Sequence, residues 1–370
     1  MAPKRGRSGR RSAAGASTPL PPPSSDVVFE ILSWLPLRSL SRSRCVCKSW
    51  RALISNPAFV AAHRSRVQPL LVATTDPADS NTSTTSTLQI MDTEGDVVRL
   101  VDLGDYWNFR VSLGGLVLVD SGGEYHSDDV RVVDLATRET IASCPRPVVD
   151  EGVSRVTARF GFGRAARSGA LKVVRIISYF LFPRCRLTCQ VFDVGDDGGS
   201  GRWRRTRSPH DFFCDGNDGV TVDGVLHFRS LRQDDILRFD LESEEWTTID
   251  GPVGTLSPWD KISLAEINGV LCVAHTKQYT VNIWLLTDLD KNVWVKEYTI
   301  SVDHAANFVP VRALRPGGKL LFYYRHGYKR TTVLQEYDPC TGKCTNVQKG
   351  MVGTIGLCSS RLDSRLCGQP

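Results

Sequence analysis

The sequence predicts an α+β multidomain chain: a small all-helical module, then a large all-β domain that is propeller-like with about six blades. Three observations point there. Helical periodicity is confined to residues 25–66. Beyond Arg66, short β-rich runs alternate with turn signals. Strand-ending aspartates then recur almost evenly, 47 residues from Asp193 to Asp240, 48 from Asp240 to Asp288 and 50 from Asp288 to Asp338.

Residues 1–24 form a basic tail ending in Pro21-Pro22-Pro23, a composition that buries too little apolar surface to offset chain entropy. A helix is expected to open at Ser25 or Asp26, whose side chain accepts a first-turn N–H. Val28, Ile31, Leu32 and Leu35 fall at i, i+3, i+4 and i+7 and make one apolar face, and Pro36 stops the helix. A second helix is expected over about 38–46 and a third over about 48–54. Asn56-Pro57 breaks the chain before a last turn holding Phe59 and Val60. A module of about 40 residues builds too little core to stand alone, so it should lean on a partner or on the next domain.

The β-domain is expected over 67–360, with 361–370 as a flexible end. Three hairpins have clear turn chemistry: Asp223-Gly224, Asn268-Gly269 and Pro316-Gly317-Gly318, each between β-rich runs. Each is followed by a second hairpin whose first strand ends in an aspartate, at Asp240, Asp288 and Asp338, and earlier copies end at Asp134 and Asp193. Such aspartates suit turns because the carboxylate accepts backbone N–H groups two residues on. A four-stranded unit at a period of about 40 to 50 residues is the mark of a propeller blade. Blades are expected near 67–108, 111–150, 155–210, 212–254, 260–303 and 307–350, the first interrupted by a Ser/Thr/Asp-rich loop over 74–87.

Composition narrows the function classes. Of a formal net charge of +6, Lys4, Arg5, Arg7, Arg10 and Arg11 supply five, leaving the folded part nearly neutral. That argues against nucleic acid as a partner, because phosphate binding concentrates charge on folded surface. The longest apolar stretch, 176–182, is far short of the roughly 20 residues a membrane helix needs. No signal-peptide core is visible at the N-terminus, so a cytoplasmic or nuclear location is expected, and Lys4-Arg5-Gly6-Arg7 suits nuclear import. The 11 cysteines are expected as reduced, mostly buried thiols.

The segment Ser25-Asp-Val-Val-Phe-Glu-Ile-Leu-Ser-Trp-Leu-Pro36-Leu-Arg-Ser-Leu40, continuing through Arg44-Cys-Val-Cys-Lys-Ser-Trp50-Arg to Phe59, closely resembles the F-box in its plant form. The resemblance implies a substrate-recognition role in a Skp–cullin–F-box ubiquitin ligase. It implies a Skp-type adaptor as partner, a cullin reached through it, and an unidentified protein target. Ile31, Leu32, Leu35, Pro36, Leu40, Val46 and Trp50 then look like adaptor-contact and framework residues. Val46 and Trp50 are also candidates for the module's internal core. One departure from the family is that Pro23-Ser24, rather than Leu-Pro, precede the first helix. The β-region resembles the F-box-associated domain in Ser263-Leu-Ala-Glu-Ile-Asn-Gly-Val-Leu-Cys, Trp294-Val-Lys-Glu-Tyr-Thr-Ile and Tyr337-Asp-Pro-Cys-Thr-Gly-Lys. The paired glycines of a kelch repeat do not recur.

Other patterns lead away from catalysis. Gly161-Phe-Gly163-Arg-Ala-Ala166 fits a dinucleotide-binding spacing, but the strand that follows argues for a hairpin instead. Cys185/Cys189, Cys340/Cys344 and His210/Cys214 share a four-residue offset without the closer Cys pairs of zinc sites. No catalytic residue, cofactor or metal is expected. Arg202-Trp203-Arg204-Arg205 and Tyr106-Trp107-Asn108-Phe109 have the composition of a binding rim, although Trp203 also fits the repeat position of Trp246 and Trp294. A protein-binding scaffold outside any ligase, and a propeller enzyme, remain the alternative classes.

Overall fold

The structure is a computed structural model that describes residues 24–33, 35, 40, 43–56, 58–59, 62, 70–74, 85–105, 107–121, 129–144, 155–181, 184–195, 202–210, 212, 217–230, 235–252, 261–302, 308–313, 318–325 and 331–358. The chain divides into two compact units, Met1–Val67 and Gln68–Pro370.

In the first unit, α1 (Ser25–Ser33) is capped by Ser24, not by Ser25 or Asp26. The Val27 N–H donates to Ser24 Oγ at 3.3 Å, and the Val28 N–H donates to the Ser24 carbonyl at 3.0 Å. A capping residue must sit just outside the helix, and Ser25 and Asp26 are already inside it. Asp26 instead places its charge in the first turn, near the helix's positive end. The expected third helix is α2 (Lys48–Ser55). Its last residue is followed by an extended Asn56, the conformation that Pro57 imposes on the residue before it. Val28, Leu32, Leu40, Ile54 and Phe59 are buried, and Phe29 meets Phe59 edge-on at 5.2 Å between centroids. Pro36, Val60 and residues 38, 39, 41 and 42 of the expected second helix lie outside the described residues, and 44–46 at its end form a turn.

The second unit is a six-blade propeller. Blade 2 is β4 (Asn108–Leu113), β5 (Leu116–Asp120), β6 (Val130–Asp134) and β7 (Thr140–Cys144). Blade 3 is β8 (Arg155–Arg164), β9 (Leu171–Leu181), β10 (Arg184–Val194) and β11 (Arg204–Thr206). Blade 4 is β12 (Val220–Val222), β13 (Val225–Arg229), β14 (Asp235–Asp240) and β15 (Trp246–Asp250). Blade 5 is β16 (Lys261–Ile267), β17 (Val270–Lys277), β18 (Thr280–Asp288) and β19 (Val293–Ser301). Each is an antiparallel meander paired in sequence order.

Blades 6 and 1 share one seven-stranded sheet. Blade 6 is β20 (Phe308–Ala313), β21 (Leu320–Arg325), β22 (Thr331–Asp338) and the first part of β23 (Lys343–Cys358). The last part of β23 pairs instead with β1 (Leu70–Thr74), which continues through β2 (Thr85–Met91) to β3 (Val97–Asp105). Val352 is the crossover, opposite Thr331 on one side and Thr74 on the other. The sixth blade expected from the sequence ends near 350, which leaves blade 1 without its innermost strand. Residues 352–358 supply it, so chain ends far apart in sequence close the ring.

Each of the six junctions between neighbouring blades holds its own apolar cluster. A blade is therefore buried on both faces, and β9 shows the consequence. Leu171 and Val173 face blade 2, Val174 and Ile176 face blade 4, and the strand reads as one apolar run. Two of the three expected hairpin turns are present, with both central residues at positive φ: Asp223 and Gly224 at 46° and 81°, Asn268 and Gly269 at 54° and 87°; Pro316 and Gly317 of the third lie outside the described residues.

The repeating aspartates sit at or next to the end of the third strand of every blade. Asp134, Asp240 and Asp338 accept the N–H two residues on, at 2.7, 2.7 and 2.8 Å. Asp288 takes the N–H three residues on, and Asp193 is held instead by Arg204. Asp92, which the repeat reading missed, does the same work in blade 1, accepting from Glu94 and Asp96.

Candidate functional site

The helical unit presents an apolar strip to solvent. Along α1 each residue turns about 100°, so Val27 and Ile31 share one side and Val28 and Leu32 another. Val28 and Leu32 are buried, whereas Val27 is 48% and Ile31 55% exposed. Ile31 thus leaves the apolar face expected for it. Val46, expected as a core candidate, is 64% exposed. It lies in the tight turn just before α2, its N–H bonded to the Ser43 carbonyl at 3.2 Å. Leu35 and Trp50 are half-buried, and Leu32 and Leu40 are fully enclosed. Val27 was not singled out from sequence, although its position four residues before Ile31 carries the signal.

In the propeller, the polar residues near the inner strands are largely consumed in joining blades. Arg110 on β4 makes a two-pronged bond to the buried Asp120, at 2.8 and 2.7 Å, and lies 3.9 Å from Asp218. Burial works against the Arg110 charge, but Asp120 and then Asp218 outweigh it and hold the guanidinium firmly protonated. Asp218 also accepts the Phe160 N–H at 2.8 Å, linking blade 4 to blade 3. Nearby, Glu244 receives Arg204 and, at 2.8 Å, Lys172, both from blade 3. The Arg204 hydrogen bonds, opposed by burial and helped by Lys172, bring the Glu244 carboxyl down to about 2.

Several of the residues with catalytic or binding spacing serve packing between blades. Gly161 and Gly163 lie on β8 where blade 4 presses close. A Cβ at Gly161 would stand 2.6 Å from Leu226 Cδ1, and one at Gly163 would stand 2.6 Å from Leu241 Cδ1. Trp107 and Phe109 are buried in the junction of blades 1 and 2 rather than set on a rim. Trp203 stacks on the buried Arg175 guanidinium at 3.8 Å, and its neighbour Arg204 is spent on Asp193 and Glu244. Aromatic–arginine composition attracts core and rim alike, so it did not separate them. Burial pushes the Cys144 and Cys189 thiols up to about 12, which leaves them inert packing groups. No helix among the described residues is long and apolar enough to cross a membrane.

Comparison with known proteins names both units. The F-box domain model matches residues 24–61, and the F-box associated beta propeller domain model matches 134–355, more than half of the chain. The chain belongs to the F-box proteins that carry an F-box-associated β-propeller, a makeup of the substrate-receptor type. An F-box/kelch-repeat protein of Arabidopsis thaliana is 26% identical over 326 residues, covering 82% of this chain and 75% of that protein. An F-box protein of the same plant is 27% identical over 304 residues, covering 77% and 80%. Among solved structures, TolB from Acinetobacter baumannii is similar at a TM-score of 0.45 with 14% identity, covering 84% of this chain and 72% of that one.

Proposed function

We propose that this chain is the substrate-recognition subunit of a Skp–cullin–F-box ubiquitin ligase, with no chemistry of its own. The supporting observation is the exposed apolar set Val27, Ile31 and Val46 on an F-box module too small to spare such residues. On this reading Ile31 and Val46 touch the Skp-type adaptor, with Leu35 and Trp50 at the edge of the contact. Leu32 and Leu40 hold the frame, and Pro36 follows the family pattern. The propeller holds a target protein. A cullin reached through the adaptor brings the activated ubiquitin, and tethering raises the local concentration of the target's lysines. The complex would work in the cytoplasm or nucleus.

The test is capture of a Skp-type adaptor and cullin by the full-length chain, beside an Ile31→Asp/Val46→Asp variant checked for unchanged unfolding. Capture by the wild type alone supports the ligase reading. Failure of the wild type to capture either protein refutes it and favours a scaffold outside any ligase.

A further inference from the structure

The near-neutral charge of the folded part is a sum of opposites. Residues 155–210, the span of blade 3, hold eleven Arg and one Lys against three Asp, a net +9. The spans of blades 2 and 4 on either side, 111–150 and 212–254, come to −4 and −7. Part of the blade 3 charge is answered at the junctions: Arg204 reaches Asp193 and Glu244, Lys172 reaches Glu244, and Arg175 bonds Gln190 beneath the Trp203 ring. The outer strand is different. Arg202, Arg205 and Arg207 are exposed, and none of the three makes an ion pair among the described residues.

β11 is the outermost strand of its blade and pairs with β10 alone. Arg205 stands opposite Gln190, and Arg186, four residues before Gln190 on β10, shares that face. Arg186 is exposed too, with its guanidinium 5.0 Å from the Tyr179 ring centroid. An edge strand uses some charge to keep other chains from pairing with it. The outer strands of both flanking blades, β7 and β15, manage without a single cation. Four arginines within 202–207 exceed that need. Like charges held so close repel and cost stability unless an anion answers them.

We propose that the outer edge of blade 3 docks an acidic segment of the target polypeptide. Arg186, Arg202, Arg205 and Arg207 supply the charge, and guanidinium forks suit side-chain carboxylates. Complementary charge steers the encounter and rejects basic chains. Single-stranded nucleic acid is the other polyanion, and it needs open aromatic faces for its bases. Blade 3 has no exposed aromatic side chain among its described residues: Tyr179 is buried, and Trp203 is half-buried against Arg175 and Phe192. The proposal rests on the propeller being the target-binding part. Its test involves no adaptor, so its failure is distinct from a failure of adaptor capture.

The experiment follows the fluorescence anisotropy of labelled oligo-glutamate, oligo-lysine and oligo-thymidylate of equal length, titrated with the full-length chain. It is repeated on a chain carrying Lys4→Ser, Arg5→Ser, Arg7→Ser, Arg10→Ser and Arg11→Ser, so that the basic tail is not mistaken for the blade. Saturable binding of oligo-glutamate to both chains is expected, weakening as salt rises, with none of oligo-lysine. Arg205→Glu/Arg207→Glu should weaken it by about tenfold, because two exposed attractions become repulsions. Lys277→Glu/Lys343→Glu makes the same change of net charge at exposed sites on other blades and should alter binding by less than about twofold. All four positions are exposed, so urea unfolding should be unchanged in both variants. The proposal is overturned if oligo-glutamate does not bind the tail-neutralised chain saturably, or if the two double variants bind it alike. Tighter binding of oligo-thymidylate, lost on Arg205→Glu/Arg207→Glu, overturns it in favour of a nucleic acid.

Discussion

Trp294 donates its indole N–H to the backbone carbonyl of Asp250 at 3.1 Å, so an outer strand of blade 5 clasps the end of the outer strand of blade 4. Trp246 repeats the contact one blade earlier, donating to the Arg207 carbonyl at 2.8 Å just past β11. Equivalent positions in successive repeats thus do one job. They satisfy a carbonyl at a strand end while covering a junction with a large apolar ring.

Trp246→Phe keeps most of the ring's packing on Phe228 and Phe239 and loses the clasp. It should lower stability by about 1 kcal/mol, the usual net worth of one hydrogen bond. Trp246→Ala removes the ring as well and should cost about 3–5 kcal/mol. Urea unfolding followed by circular dichroism separates the two.

Gly161→Ala tests the close approach of blades 3 and 4. The new methyl would meet both Leu226 methyls, at 2.6 and 2.7 Å, in a packed junction. A loss of about 1–3 kcal/mol is expected from overpacking. Leu226→Ala in the same chain should recover part of it, which a double-mutant cycle measures.

Acid should loosen the propeller in two stages. His227 titrates near 4 when folded against 6.5 as a free side chain, and Glu244 near 2 against 4.5. In both cases the unfolded chain binds the proton first, so stability is complete above the free value and falls as pH drops towards the folded one. His227→Gln should flatten the dependence of the urea midpoint between about pH 6.5 and 4, and Glu244→Gln that between about 4.5 and 2.

The F-box residues should divide by exposure. Ile31→Asp changes a position open to solvent and should shift stability by no more than about 0.5 kcal/mol while reducing adaptor capture. Leu32→Ala empties an enclosed site and should cost about 2–5 kcal/mol. Thermal unfolding of the full chain and adaptor pull-down, run on the same preparations, check both halves.

Ending the chain at Met351 removes the innermost strand of blade 1. The Leu70–Thr74 strand then loses one of its two partners, and Ser112 Oγ loses the Leu357 carbonyl it bonds. An open ring exposes apolar faces at its gap, so the truncated chain should aggregate or unfold without a cooperative transition. Size-exclusion chromatography with calorimetry reads this directly.

Much of the fold was legible because it is repetitive. Asp-Gly and Asn-Gly turns declare positive φ locally, and the aspartate period counts blades without any tertiary information. The candidate site was legible only as a set. Ile31, Leu32, Leu40 and Val46 are all apolar, and nothing in their identities says which face inward. The capping serine was misread by one residue for a similar reason, since Ser24, Ser25 and Asp26 are all good caps and only the first turn's hydrogen bonds choose among them.

By itself the sequence determined the two-part plan, the hairpin turns, the repeat and the F-box likeness, because each rests on contacts between residues close along the chain. Only the tertiary structure decided the rest. The closing strand at 352–358 finds β1 nearly three hundred residues away. The glycines of β8 answer to a neighbouring blade rather than to a nucleotide. Each depends on which sheet faces lie against each other, and a local pattern does not carry that information.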